Sequence, residues 1–405
     1  MIEVIKLLVV IVFVIFLIKK KWNLGYIMLL ASLLLGAFFN LNPSVIGLNF
    51  FLAILDPLTL RLIGIIVLVF ILSAVLRKVE SLKNLIDSLQ ELVKDYRLIL
   101  AFIPAFLGLI PMPAGAILSA PMVKKLGDRM KLTPEEDTFV NYWFRHVWEF
   151  VWPLFSGIIL FSALLEVEIR EIIITQFPLT ITAIILGLVW EQKYLKKNFK
   201  VIDKKSIFFN LKKLFFGTWP ILLIIILVLF IKLDLLISLG IVILSLLILN
   251  INRIKIEYIR EIIIKDIDLG TVLLIVGIMI FKRMFQVSGA IMIIPEFFNG
   301  LGVPPLIILF TIPFLVGILT GFSSAAIGIG FPVLLPFIIQ GNVNLNYAMF
   351  AFVGSFVGVM FSPTHLCLVV TRDYFKADLG KIYKMLALPL LIIILSALIL
   401  AIVRT

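Results

Sequence analysis

Long apolar runs, separated by short charged connectors, fill most of this 405-residue chain. Ten of them read as membrane-spanning helices, at about 3–18, 24–39, 58–76, 139–165, 171–190, 214–231, 235–251, 269–286, 344–371 and 386–403. A helix needs roughly 20 mostly apolar residues to cross a bilayer core. The runs are continuous rather than alternating with period two, which excludes a transmembrane barrel. Residues 45–55 are apolar but short and read as a connector. Two further segments, 98–123 and 303–340, are apolar yet interrupted. The first breaks at Pro111, Met112, Pro113, Ala114 and Gly115, the second at Gly321, Phe322, Ser323, Ser324 and Ala325. Proline and glycine in such clusters stop a straight helix.

The punctuation repeats. Ile103, Pro104 and Gly108 are echoed by Ile312, Pro313 and Gly317; Pro121 is answered by Pro332, Pro153 by Pro363 and Pro178 by Pro389, all at offsets of 209 to 211. Each of these prolines is expected to interrupt an apolar run. Pro111, Pro113 and Pro134 have no partner downstream and Pro336 has none upstream. Paired hydrophobic segments broken at corresponding places in two halves point to a binding site between the halves.

Charge sets the direction of the broken segments. Lysines 193, 196, 197, 200, 204, 205, 212 and 213 mark one connector as cytoplasmic. Counting back, Lys124, Lys125, Arg129 and Lys131 lie inside, as do Arg77, Lys78, Lys83, Lys94 and Arg97. The segment 98–123 therefore enters and leaves on the cytoplasmic side, as a re-entrant hairpin. Counting forward, the almost uncharged flanks of 303–340 lie outside, and the next basic group (Arg372, Lys376, Lys381, Lys384) is inside. The second hairpin thus dips from the opposite face. Lys282 and Arg283 fit this scheme badly and are expected to snorkel or to line a cavity. The stretch 77–97 reads as an amphipathic interfacial helix, with 286–300 its less charged equivalent.

The fold class this predicts is an all-α polytopic membrane protein, with about ten transmembrane helices plus two re-entrant hairpins in two inverted-topology repeats. Four regions follow: 1–57, N-terminal helices; 58–190, the first repeat; 191–268, a cytoplasmic linker with two connecting helices; and 269–405, the second repeat. Composition agrees. Hydrophobic residues make up 62% of the chain and mean hydropathy is +1.20, more than a soluble core uses. The net charge of +12 sits in short loops, so it argues for membrane orientation rather than for nucleic acid. The single cysteine, Cys367, rules out an internal disulfide and a cysteine-based metal cluster, and is expected to be packing. The N-terminus lacks a basic leader and a cleavage site, so it reads as a retained helix.

Candidate chemistry gathers at the breaks. Gly321, Ser323 and Ser324 at the second tip offer hydroxyls and close backbone approach, and helix N-termini there favour anions. The same small residues also serve plain helix packing. The first tip offers backbone around Gly115, Pro113 as a hinge, and Ser119. Ser362, Pro363, Thr364 and His365 break one late span; an ionisable group inside a span is a functional candidate by default. In the matching earlier span Arg145 lies roughly 9 Å deep at about 1.5 Å per residue, followed by His146, Glu149 and the break at Pro153. Arg145 and Glu149, four apart, could simply pair. Otherwise Arg145 binds a carboxylate and Glu149, with His146, His365 and Ser362, couples an ion or proton. Asp56 reads as a cap, and Glu166, Glu168, Arg170 and Glu171 as a solvated loop. No zinc-protease or P-loop motif is present. A Ser323–His365 dyad would suit an intramembrane serine hydrolase, but does not explain the hairpin in the first half.

Two halves, each a hairpin followed by a proline-broken helix, resemble the ion-transporter superfamily, which includes gluconate permeases, citrate transporters, sodium–dicarboxylate symporters and sodium–proton antiporters. Within it, Ile103–Pro104 through Pro113–Gly115, Arg145 to Glu149, and Phe361 to His365 resemble a prokaryotic integral-membrane family of unknown function, over about 58–403. The resemblance implies a secondary transporter working as an elevator, its hairpins and broken helices moving against a scaffold that often mediates homodimerisation. The dicarboxylate branch carries Ser-Asn-Thr at its tips, which this chain lacks, so those contacts do not carry over. The expectation is a secondary active transporter of a small organic anion, a carboxylate, driven by H+ or Na+ across the cytoplasmic membrane. The alternative is a sodium–proton antiporter of the same fold. Expected partners are the lipid bilayer, the anion and a second copy of the chain. No enzyme activity, resident metal or cofactor is expected, Na+ being at most the coupling ion.

Overall fold

In the computed structural model, residues 2–79, 95–110, 115–194, 207–252, 254 and 256–404 are described. Most of them are helical; a short antiparallel ladder pairs Ile339–Gln340 with Asn342–Val343. The N-terminal helices are α1 (Ile2–Lys19), α2 (Leu24–Phe38), α3 (Pro43–Leu55) and α4 (Pro57–Lys78). The first half continues with α5 (Tyr96–Gly108), α6 (Ala116–Met130), α7 (Pro134–His146), α8 (Ser156–Leu165) and α9 (Ile169–Tyr194). Connecting helices follow: α10 (Ile207–Ile225), running into a π-turn at Ile226–Phe230; α11 (Leu235–Leu249); and α12 (Ile256–Glu261), with a π-turn at Ile262–Asp266. Then come α13 (Leu269–Val287), α14 (Ala290–Gly300), α15 (Pro305–Thr320), α16 (Ser323–Ile338), α17 (Leu345–Met360), α18 (Leu366–Phe375) and α19 (Leu379–Val403).

Among the described residues four helices are long and apolar enough to cross a membrane: Pro57–Lys78, Ile169–Glu191, Leu269–Val287 and Leu379–Val403. Many shorter apolar helices accompany them, as a membrane protein requires. The last helix shows why it is apolar all round. Leu386, Leu390, Ile393, Ala397 and Ala401 are buried, whereas Leu388, Leu391, Leu395, Ile399 and Ile402 on its other face are exposed. A helix apolar on both its protein face and its outer face suits a lipid surrounding.

The run of elements in the first half recurs 210 residues on. Helix α8 spans Ser156–Leu165 and α18 spans Leu366–Phe375. Each follows a break, of nine residues at 147–155 and of five at 361–365, and each ends on a left-handed residue, Glu166 (φ 57) or Lys376 (φ 58). The closing bonds correspond too: Val167 N–H donates to the Ser162 carbonyl and Ala377 N–H to that of Arg372. Hairpin packing is also shared. A Cβ on Gly108 would run into the Arg145 carbonyl oxygen, and one on Gly317 would lie 2.8 Å from that of Ser355. Glycine lets each hairpin arm lie backbone-to-backbone against its broken helix, α5 on α7 and α15 on α17.

The halves interlock. Helix α8 packs on α16 of the other half, and α18 packs on α6 and α7. Phe161 of α8 sits between Phe331 and Phe352, with ring centroids 5.0 and 5.1 Å away. This core places the two breaks face to face.

Several expectations need correction. Of the paired prolines only Pro153 and Pro363 lie at breaks; Pro104, Pro121, Pro178, Pro313, Pro332 and Pro389 lie inside helices. In membrane proteins neighbouring helices, hydroxyl side chains and local adjustment of the backbone can satisfy the groups that proline frees, so such helices persist. The second tip is narrower than expected, since Ser323 already starts α16 and only Gly321 and Phe322 link the arms. Residues 45–55 form α3 rather than a connector, capped by Asn42 with Pro43 in the first turn. Asp56 does cap α4, accepting from Leu58 N–H. Lys282 is buried and pairs with Glu166 at 3.0 Å, so that glutamate is not simply solvated. Arg283 donates to Asn49 at 2.9 Å. Most of the expected amphipathic stretch 77–97 and the first tip with Pro113 lie outside the described residues.

Candidate functional site

Helix α7 starts with a capping box: Thr133 Oγ1 accepts from Glu136 N–H and the Glu136 carboxylate accepts from Thr133 N–H. Its far end brings Arg145 and His146 to the break. The chain then turns, with Glu149 N–H bonded to the His146 carbonyl and Trp152 N–H to that of Trp148. Because the helix stops at His146, the i,i+4 pairing of Arg145 with Glu149 does not form. Glu149 instead accepts from Ser323 Oγ at 3.1 Å and has Oε1 3.8 Å from His146 Nε2. Arg145 is 5% exposed, and its Nη1 has no hydrogen-bond partner among the described residues.

Each break holds its own hairpin. Trp152 Nε1 donates to the Leu109 carbonyl at 2.6 Å, and Ser362 Oγ donates to the Ile318 carbonyl at 2.7 Å. Thr364 Oγ1 lies 2.9 Å from Ser362 Oγ and faces outward. His365 Nδ1 lies 2.8 Å from the Gly321 carbonyl, at the left-handed residue (φ 63) that turns the tip.

Three helix N-termini meet here: α8 at Ser156, α16 at Ser323 and α18 at Leu366. None has a side-chain cap, and Ser156 Oγ lies 2.6 Å from Ser324 Oγ. Free first-turn N–H groups and helix dipoles make such ends favourable for anions. Beside them lies a cavity of about 270 Å³, lined among others by Arg145, Glu149, Ser156, Ser323, His365 and Cys367. Helices α4 and α13 close one side through Ile66, Val69 and Thr271.

Of the residues expected at the site, Arg145, His146, Glu149, Gly321, Ser323 and His365 share this cavity. Ser324 reaches it through Ser156. Ser362 and Thr364 stand behind the tip as anchors, and Gly115 is buried at the start of α6, away from the cavity lining. Pro153 and Pro363 mark the breaks themselves. The hydroxyl of Ser323 donates to Glu149, while the ring nitrogens of His365 face His146 and the Gly321 carbonyl. Ser323 and His365 therefore form no hydrogen-bonded dyad.

Three residues went unforeseen. Ser156 is the first helical residue after the first break. Tyr142 meets both histidines, edge-on to His146 and tilted against His365, with centroids 4.6 and 5.6 Å away. Cys367, expected as packing, lies with His146 and His365 in a group whose ligand atoms are all within 4.8 Å of one another. Its spacing, two residues after His365, was the available signal.

A family model described as "Protein of unknown function (DUF401)" matches residues 2–403. The chain belongs to this family. In this DUF401 member the match takes in both hairpins and both breaks, so the site lies wholly within the family's span. No curated protein matches the chain.

Proposed function

We propose that the chain is a secondary active transporter that moves a small organic anion, a carboxylate, across the cytoplasmic membrane, coupled to H+ or Na+. The observation that carries this is Arg145, a buried guanidinium with an unpartnered Nη1 beside a cavity ringed by three helix N-termini. An uncompensated buried charge is costly, and a bound carboxylate would offset that cost with a charge-assisted, fork-shaped contact. The 210-residue recurrence of hairpin and broken helix supports two inverted repeats, with the site at their interface as transporters of this build have it. The loop charges supply the inversion. The hairpins and broken helices move as one body in an elevator against the remaining helices.

The competing reading is a sodium–proton antiporter of the same fold. The buried Glu149 carboxylate beside the Ser323 hydroxyl favours it, since oxygen ligands suit Na+. That reading leaves Arg145 without a task. Reconstitution into proteoliposomes separates the two: a carboxylate panel is offered with imposed H+ or Na+ gradients. Gradient-stimulated uptake of one carboxylate is expected. No response to any anion, together with sodium–proton exchange, would establish the antiporter instead.

A further inference from the structure

His146 and His365 come from different halves, and their Nε2 atoms lie 3.1 Å apart. Both rings are fixed from behind. His146 Nδ1 is 2.6 Å from the Tyr142 carbonyl, and His365 Nδ1 is 2.8 Å from the Gly321 carbonyl. A carbonyl oxygen only accepts, so each Nδ1 carries its proton. Each Nε2 of a neutral ring then presents a lone pair, and the two lone pairs point at one another in a buried place, the two residues being 3% and 7% exposed. Such an arrangement is repulsive unless a positive charge sits beside both nitrogens.

The thiol decides what that charge is. Cys367 Sγ completes a group of three ligand atoms, all within 4.8 Å of one another. Imidazole nitrogens bound at about 2.0–2.1 Å to one tetrahedral zinc stand roughly 3.3 Å apart, close to the spacing here. The Nδ1–carbonyl bonds are the outer-shell contacts that metal-binding histidines make almost invariably. Two imidazoles with one thiolate suit Zn2+ or a similar soft ion, and not Na+, Mg2+ or Ca2+, which take oxygen ligands.

We propose that His146, His365 and Cys367 form a binding site for a thiophilic transition-metal ion of the Zn2+ class, joining the break of one half to that of the other. A water molecule would complete a four-coordinate shell: Glu149, whose Oε1 lies 3.8 Å from His146 Nε2, is not among the three grouped ligands. The thiol gives up its proton on binding. A dication held by one thiolate adds positive charge beside Arg145, which strengthens the cavity's preference for an anion. Metal binding does not depend on the transport reading, because it is measured without a membrane gradient. If both hold, the imidazoles serve the metal, and the coupling ion falls to Glu149.

The full chain in detergent, stripped with a chelator, is titrated with Co2+ as the spectroscopic probe and then with Zn2+. Uptake of about one equivalent is expected, with the visible bands of four-coordinate Co2+ and a thiolate charge-transfer band in the near ultraviolet. Cys367→Ser should abolish the charge-transfer band and weaken affinity by at least the roughly 10–100-fold that outer-shell changes cost. Its metal-free melting point should match that of the unmodified chain. Zn2+ should raise the melting point of the unmodified chain and not that of the variant. Cys367→Ala serves as the second probe if Cys367→Ser fails to fold. A folded chain that binds neither metal stoichiometrically overturns the proposal and leaves a proton shared between the rings. Binding that is equal in chain and variants and shows no thiolate band overturns it too.

Discussion

Ser323 donates a hydrogen bond to Glu149 at 3.1 Å, tying the tip of the second hairpin to the break of the first half. The bond joins the two halves of the chain, so any motion that separates tip from break must exchange it for water or an ion. Glu149→Gln keeps an acceptor for Ser323 and removes the charge. Gradient-driven accumulation in proteoliposomes should be lost, while exchange of labelled for unlabelled substrate persists. Accumulation equal to that of the unmodified chain would remove Glu149 from coupling.

Arg145 gives a prediction with an unusual sign. Its Nη1 has no hydrogen-bond partner among the described residues, although the side chain is 5% exposed. Removing one partner of a satisfied buried pair destabilises, whereas removing an uncompensated charge relieves a desolvation cost. Arg145→Met should therefore leave the substrate-free melting point unchanged or raised. It should lower uptake efficiency about 100-fold, the equivalent of losing one charged hydrogen bond of roughly 3 kcal/mol. Arg145→Lys retains the charge without the planar fork and should fall between. A clear drop in the melting point of the Met variant would show that the guanidinium has a structural partner.

The positions of both breaks were legible because proline punctuates helices locally: Pro153 and Pro363 sit where the echo placed them. The other paired prolines misled, since a proline inside a packed helix leaves the same mark in the sequence as one at a break. Arg145, His146 and Glu149 could be singled out as charges in an apolar span, but their partners could not. Where α7 stops decides whether Glu149 faces Arg145 or Ser323, and no residue near His146 announces that stop. The meeting of His146 with His365 and Cys367 spans more than 200 residues, so only the packing of α18 on α7 reveals it. Gly108 and Gly317 were visible as part of the echo, but their task, close backbone approach, appears only when the hairpins lie on the broken helices.

Those glycines can be tested as a pair. Gly108→Ala drives a methyl group into the Arg145 carbonyl, and Gly317→Ala sets one 2.8 Å from that of Ser355. Backbone cannot move aside as a flexible side chain can, so each should cost about 1–3 kcal/mol. Gly47, in α3, has nothing within 4 Å of its Cβ direction; Gly47→Ala should be neutral or stabilise by up to about 1 kcal/mol. Melting points in one detergent rank the three. Gly108→Ala should also reduce uptake more than Gly317→Ala, because it shifts the backbone that carries Arg145. Equal melting points for all three would mean the hairpins do not pack as described.

Asp137 supplies a pH test outside the spans. It lies in the first turn of α7, wholly buried, with both carboxylate oxygens unbonded among the described residues and Lys124 at 3.9 Å. Burial pushes its pKa up to about 7, against the opposing pull of Lys124. The folded state thus holds this proton more tightly than the unfolded chain, where a carboxyl titrates near 4. The contribution to stability is fully present below the unfolded pKa, falls as pH rises through the folded value, and is gone above it. Asp137→Asn keeps the shape of the protonated acid and does not titrate. The variant should match the unmodified chain near pH 4 and exceed it above pH 7, by up to a few kcal/mol on the order-of-magnitude scale of such a shift. Melting curves of both chains across that range, read as a difference, isolate Asp137 from the other carboxylates. A difference that does not change with pH would show that the carboxylate is already satisfied.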